Sequence, residues 1–188
     1  MQCDLIITVC AFNFATRNLA TTCILTAAAH TRANIIVVAN NMRPEFQVDL
    51  KALCDHCGIR WIYQEPFNFM RAFNDQIKAT INPYYGCFGQ DVIFYPHWLE
   101  NLIRCWDAEP DYFCVAPYSF NLWRGEPFVS LPFNPQDGIF PTHPHCAAGM
   151  MFRRDKLFLY DENIQRAGDS DLYHFIQHNH LREGVCLS

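Results

Sequence analysis

YYGCFGQDVIFYPHWLENL, residues 84–102, is the stretch on which the reading of the fold turns. Tyr84 to Phe88 is a short apolar run of strand character, Gly89-Gln90-Asp91 breaks it, and Pro96 followed by Trp98-Leu99-x-x-Leu102 opens a helix. A carboxylate at the exit of a buried strand can hold a hard divalent cation against a diphosphate, because Mg²⁺ and similar ions bind through one or two carboxylates plus substrate phosphates. The competing role for Asp91 is a helix or loop cap. The same alternation repeats on both sides of this stretch. Leu5 to Val9, Ile35 to Ala39, Ile59 to Tyr63, Tyr112 to Ala116 and Ala147 to Phe152 read as strands. Thr16 to His30, Gln47 to Cys57, Phe69 to Ile81, His97 to Trp106 and Asp171 to Asn179 read as helices, the first with Leu19, Cys23 and Leu25 to Ala27 on its inner side. Strand and helix in turn predict an α/β protein with a mainly parallel sheet.

The chain has 188 residues, 51% of them hydrophobic, which suits one well-buried domain. A net charge of −5 with no basic cluster excludes a nucleic-acid binder. No apolar run reaches the roughly 20 residues of a membrane span. Met1-Gln2-Cys3-Asp4 lacks the basic start of a signal peptide. The expectation is therefore a soluble, cytoplasmic protein. Ten cysteines are scattered along the chain, several inside apolar runs, where a free thiol acts as a small buried hydrophobe. Disulfides are the alternative. Between Pro117 and Pro144 the texture changes: six prolines and the aromatics Phe120, Trp123, Phe128, Phe133 and Phe140 predict an ordered insert at about 117–145. Trp123 could stack on a sugar face or pack the insert.

Three polar loops follow predicted strands: Ala11-Phe12-Asn13, Asn40-Asn41 and Gly89-Gln90-Asp91. In open α/β sheets ligands bind outside the carboxyl ends of the strands. Neither GxGxxG nor GxxxxGK[ST] is present, which argues against dinucleotide and P-loop sites. In their order, five pieces of the chain resemble a family-2-type glycosyltransferase of the GT-A fold, over about residues 4 to 178. These are LIITVCAFN…LATTCILTAA, NIIVVANN, NFMRAFNDQI, YYGCFGQDVIFYPHWLENLI and AAGMMFRRDKLF…DEN…AGDSDLYHFI. The resemblance implies a Rossmann-like sheet with helices on both faces, forming a single domain over 1–188. It implies a nucleotide-diphospho-sugar donor, an acceptor hydroxyl on a glycan, lipid or protein, and Mn²⁺ or Mg²⁺. A compact chain of this kind suits a viral protein working in the host cytoplasm.

Carried onto this sequence, the resemblance makes Asp91 a metal ligand, with His178 or His180 as a further one, His178 being preferred. Asp169 becomes the general base of an inverting transfer, its competing role being a cap of the last helix together with Ser170 and Asp171. Ala11, Asn13, Asn40, Asn41, Asn68, Asn74 and Gln90 line the donor. Three departures stand out: Gly89 replaces the first acid of Asp-x-Asp, Asn40-Asn41 replace a carboxylate that contacts uracil, and Gly168-Asp169 replace Glu-Asp. They leave open a catalytically degenerate sugar-nucleotide-binding protein. A zinc-stabilised structural protein is the other alternative, from His143-Pro144-His145-Cys146 or Cys54-Asp55-His56-Cys57. Arg153-Arg154 suggest one ion pair and one phosphate contact.

Overall fold

The computed structural model describes residues 2–66, 68–117, 120–121, 126–127, 139–141, 149–155, 157–163 and 168–186. Strand β1 (Cys3–Ala11) is apolar almost throughout and buried on both faces. Helix α1 (Phe14–His30) follows, then β2 (Asn34–Met42), α2 (Pro44–His56), β3 (Arg60–Tyr63) and α3 (Phe69–Ala79). The chain continues through β4 (Tyr84–Gly89), α4 (Trp98–Ala108), β5 (Tyr112–Pro117), β6 (Phe120–Asn121), β7 (Glu126–Pro127) and β8 (Ile139–Pro141). It closes with β9 (Gly149–Arg153), α5 (Gly168–His178) and β10 (Arg182–Cys186).

Eight strands form one sheet in the order β3-β2-β1-β4-β9-β5-β10-β8, and β6 pairs with β7 separately. Strands β1, β2, β3 and β4 are mutually parallel. Strand β9 lies antiparallel between β4 and β5, so β5 and its parallel neighbour β10 point the same way as β4. The chain winds outward from β1 to β3, then returns to β4 on the other side of β1. That reversal makes the β1/β4 seam the topological switch point, where a ligand crevice is expected.

Two apolar layers cover the sheet. Leu5, Ile7 and Val9 pack with Ala20, Cys23 and Ile24 of α1, Phe46 and Leu50 of α2, and Leu99 and Trp106 of α4. Ile6, Ile36 and Val38 pack on the other face with Phe73 and Ile77 of α3 and Leu172 and Ile176 of α5. Neighbours along β1 point to opposite faces, and each fully buried aliphatic side chain contributes about 1.5–3 kcal/mol of transfer free energy. At the start of the strand the buried Asp4 is satisfied: its Oδ1 accepts from Asn34 Nδ2 at 2.7 Å and Asn82 Nδ2 at 2.9 Å.

The expected α/β architecture with helices on both faces is present, with β8 and β9 as its antiparallel members. The inner face of α1 differs from the expectation: Ala20, Cys23, Ile24 and Ala27 are buried, whereas Leu19 and Leu25 are exposed. Close approach of α1 to the sheet favours the small residues on that side. Helix α5 begins at Gly168, so Asp169, Ser170 and Asp171 lie within its first turns and do not precede it as caps. Strand β10 was not expected. Most of the insert, including Trp123, lies outside the described residues. None of the nine described cysteines is joined in a disulfide and seven of them are buried, which favours the buried-hydrophobe reading; Cys146 lies outside the described residues.

Two outcomes follow from this packing. A Cβ on Gly86 would lie 2.7 Å from Phe88 Cε2 and 3.1 Å from Leu5 Cδ1, and closer still to Met151 Sδ. Gly86→Ala should therefore destabilise the fold by about 1–3 kcal/mol, read as a lower urea midpoint. Burial also pushes the thiols of Cys3 and Cys23 up from 9.0 to about 12. Unfolded thiols release protons near 9.0 while these two keep theirs, so the unfolded state binds fewer protons as pH rises toward 12. Unfolding titrations should show stability falling through that alkaline window, with a shallower fall in Cys23→Ala.

Candidate functional site

The carboxyl ends of β1 and β4 are tied together by a side chain. The Cys10 N–H donates to Gln90 Oε1 at 2.6 Å, across the switch point. The last regular β1–β4 pair is Thr8 with Gly89, so this bond extends the seam beyond the ladder. On the other side of β1, Cys10 faces Asn40, and the register then slips so that Ala11 faces Met42. Asn41 takes up the slip with φ 43. The Ala11 carbonyl accepts from the Arg43 N–H at 3.0 Å, and Ala11 itself is fully buried. Asn40 is 1% exposed, and its Oδ1 is a buried acceptor without a protein partner. Leaving such an acceptor unpaired costs about 1–3 kcal/mol, which marks Asn40 as a polar group in want of a partner on this edge, as is the buried Oε1 of Gln64 just past β3.

Phe12 and Asn13 leave β1 into α1. Asn13 is the N-cap: its Oδ1 accepts from the Thr16 N–H at 2.9 Å, and Thr16 Oγ1 accepts in return from the Asn13 N–H at 3.2 Å. Phe12, to which the sequence reading assigned no role, stands 53% exposed beside the crevice. An isolated aromatic after a buried strand carries no signal of its own; its position next to the switch point is visible only in the fold.

Asp91 is exposed, two residues past the end of β4. Its negative charge reaches two thiols. Burial raises the pKa of both Cys10 and Cys23, and Asp91 adds to the rise in each; the Gln90 hydrogen bond opposes it at Cys10. As a hard oxygen donor, Asp91 fits Mg²⁺ or Mn²⁺. Among the described residues no group of three or more His, Cys, Asp or Glu side chains converges to hold a metal. A single exposed carboxylate has the chemistry to hold such a cation where substrate phosphates supply the other ligands. The Cys54 to Cys57 pair sits at the carboxyl end of α2, with Cys54 in the core, and His143, His145 and Cys146 lie outside the described residues.

Asn68 and Asn74 work elsewhere. Asn68 caps α3, accepting from the Arg71 N–H at 2.9 Å and donating to the Glu162 carbonyl at 2.9 Å. Asn74 is 2% exposed. It donates to the Tyr160 carbonyl at 2.8 Å and to Glu162 Oε1 at 3.0 Å, and accepts from the Tyr160 N–H at 2.9 Å. With both amide hydrogens and the oxygen engaged inside the core, Asn74 is turned to the 158–162 segment and not to the crevice. The expectation is corrected: it anchors the 158–162 segment to α3.

Strand direction sorts the remaining candidates. Arg182 pairs with Tyr112 at the start of β5, and α5 ends four residues earlier, so His178 and His180 stand at the amino-end edge of the sheet. Asp91 follows the carboxyl end of β4, and six strand residues span about 16 Å. His178 is thus not a partner of Asp91 for a shared cation. Arg153 pairs with Tyr84 on the same far edge and forms an ion pair with Asp155 at 3.2 Å, so the expected ion pair is present there. Arg154 donates its N–H to the Pro83 carbonyl at that edge too, away from the crevice and from any phosphate in it. The backbone of Asp169 belongs to the first turn of α5, the end away from that edge; its side chain lies outside the described residues.

The family model described as "Glycosyl transferase family 2" matches residues 6–180. The chain belongs to that family. Its fold is similar to S. aureus TarS, with a TM-score of 0.68 at 12% identity, covering 98% of this chain and 35% of the TarS chain. TarS 1-349 in complex with UDP superposes with a TM-score of 0.70 at 12% identity, covering 98% of this chain and 57% of that one. The complex of TarS 1-349 with UDP-GlcNAc gives 0.70 at 12%, with 98% and 56% covered. This family member therefore spans about a third of TarS and just over half of TarS 1-349. Comparison with curated protein sequences yields no significant match. Among the described residues no helix is long and apolar enough to cross a membrane.

Asn74→Ala should remove its two hydrogen bonds with the Tyr160 backbone inside the core and cost about 1–3 kcal/mol in denaturant unfolding.

Proposed function

We propose that this chain transfers a sugar from a nucleotide-diphospho-sugar to an acceptor hydroxyl with inversion at the anomeric carbon. The observation that carries the reading is the meeting of Asp91, the Cys10–Gln90 bond and the unpaired Asn40 oxygen around one switch-point crevice in a family 2 chain. Asn40 and Asn41 supply amide groups for a base, and the exposed Phe12 ring supplies a face for it to stack on. The TarS complexes with UDP and UDP-GlcNAc make uridine diphosphosugars the first donors to try.

In the transfer, the acceptor oxygen forms a bond to the anomeric carbon as the bond from that carbon to the diphosphate oxygen breaks. The nucleoside diphosphate leaves with the electron pair. Asp169 takes the acceptor proton, which raises the nucleophilicity of the oxygen as it attacks. Asp91 would hold a divalent cation brought with the donor, which would supply charge neutralisation for the leaving diphosphate. His178 and Asn74 have no part, given their places in the fold.

A panel of UDP-, GDP- and dTDP-sugars, each with Mn²⁺ and with EDTA, tests the donor site by calorimetry and thermal shift. A metal-dependent shift that disappears in Asp91→Ala is the expected result. Asp169→Asn should keep donor binding and lose about 10²- to 10⁴-fold in transfer, the usual contribution of a general base. Full transfer activity in Asp169→Asn would reject the base. Donor binding without any turnover in the wild type would favour the degenerate binding protein, which Gly89 and Asn40 keep in view. No binding of any nucleotide sugar would leave only the shared fold.

A further inference from the structure

The glycine at the exit of β4 has a neighbour that the sequence does not reveal. A Cβ built on Gly89 would lie 2.8 Å from Asp91 Oδ1 and 3.9 Å from its carboxyl carbon, with no other non-adjacent atom within 4 Å. The backbone of Gly89 is outside the left-handed region, so its conformation does not demand glycine; the carboxylate alone fills the place of a side chain. The peptides around it are held. Cys23 Sγ donates to the Gly89 carbonyl at 3.7 Å, and Gln90, the residue between glycine and acid, is fixed by its bond from the Cys10 N–H.

We propose that Gly89 is a positioning residue for the donor site: by lacking a side chain it lets the Asp91 carboxylate fold back over the exit of β4. There the carboxylate lies beside the end of β1, near enough for its charge to act on Cys10 and Cys23. The proposal rests on the donor-site reading above. Read this way, the departure at Gly89 is more than the loss of an acid, because the remaining acid occupies the space that was vacated. Putting a carboxylate back at 89 would displace Asp91 and set two like charges in contact, which raises the cost of ionising both. The atom that a new Cβ meets is the free end of a side chain, which can rotate to another staggered position without disturbing the strand. Gly89→Ala should therefore fold normally and misplace one ligand.

Calorimetric titration of UDP, with Mn²⁺ and with EDTA, into wild type, Gly89→Ala, Asp91→Ala and the double variant tests this. Gly89→Ala should weaken Mn²⁺-dependent UDP binding by about tenfold, the scale of losing a group that orients a metal ligand. Binding in EDTA and the melting temperature should stay as in wild type, and the double variant should bind like Asp91→Ala. Wild-type affinity in Gly89→Ala, an equal loss in EDTA, or a loss that adds to that of Asp91→Ala would overturn the proposal. The ¹³C resonance of the Asp91 carboxyl gives a readout independent of ligand. It should move between wild type and Gly89→Ala, and an unchanged resonance sinks the packing claim itself. Failure of UDP to bind wild type under both conditions would reject the donor-site reading, while a moved resonance would still uphold the place of the carboxylate.

Discussion

Strand β1 has no edge and no face open to water. It pairs with β2 on one side and β4 on the other, and its side chains feed both apolar layers. A strand in that position must satisfy every backbone group through its neighbours, because an unpaired buried amide or carbonyl is costly. The demand can be met only where β2 and β4 run alongside. The regular ladder ends at Thr8 on the β4 side and at Cys10 on the β2 side, and other devices take over: the Gln90 side chain for the Cys10 N–H, and the slip at Asn41 that brings the Arg43 N–H to the Ala11 carbonyl. The polar crevice is where regular pairing of the central strand stops.

That origin explains the economy of the site. Residues that close the seam also shape the walls that a ligand would meet. Gln90 is committed to Cys10, and Asn13 is committed to the first turn of α1. Among the described residues at this edge, the oxygen of Asn40, the face of Phe12 and the carboxylate of Asp91 are not committed in the same way.

Much of the fold could be read before any coordinates. Parallel strands covered on both faces appear as unbroken apolar runs, and β1, β2 and β4 have that signature. Strand β10 does not: Arg182, Glu183 and Gly184 are poor strand formers, and only pairing with β5 and β8 makes them one. The start of α5 was hidden for a related reason, since Gly168 and the three polar residues after it suggest a loop by composition. At the site, motif order located the three loops at strand ends. It could not tell which asparagines faced the crevice. Asn74 belongs to a chemically suitable residue type, yet it is buried and bonded to Tyr160 and Glu162. His178 had the right chemistry at the wrong end, a distinction that depends on strand direction and on the length of α5.

The long excursion between β5 and β9 departs from and returns to neighbouring strands. Cys114 pairs with Phe152 and Val115 with Met151, so the two strands are already side by side where the excursion leaves and rejoins them. Closing a loop between such fixed posts costs little more as it lengthens, about 0.6 kcal/mol for each doubling of its residues. The scaffold therefore works as a socket. Excursions of different length and composition can be exchanged at this point while the seam between β1 and β4 stays as it is, so the two can change independently of each other.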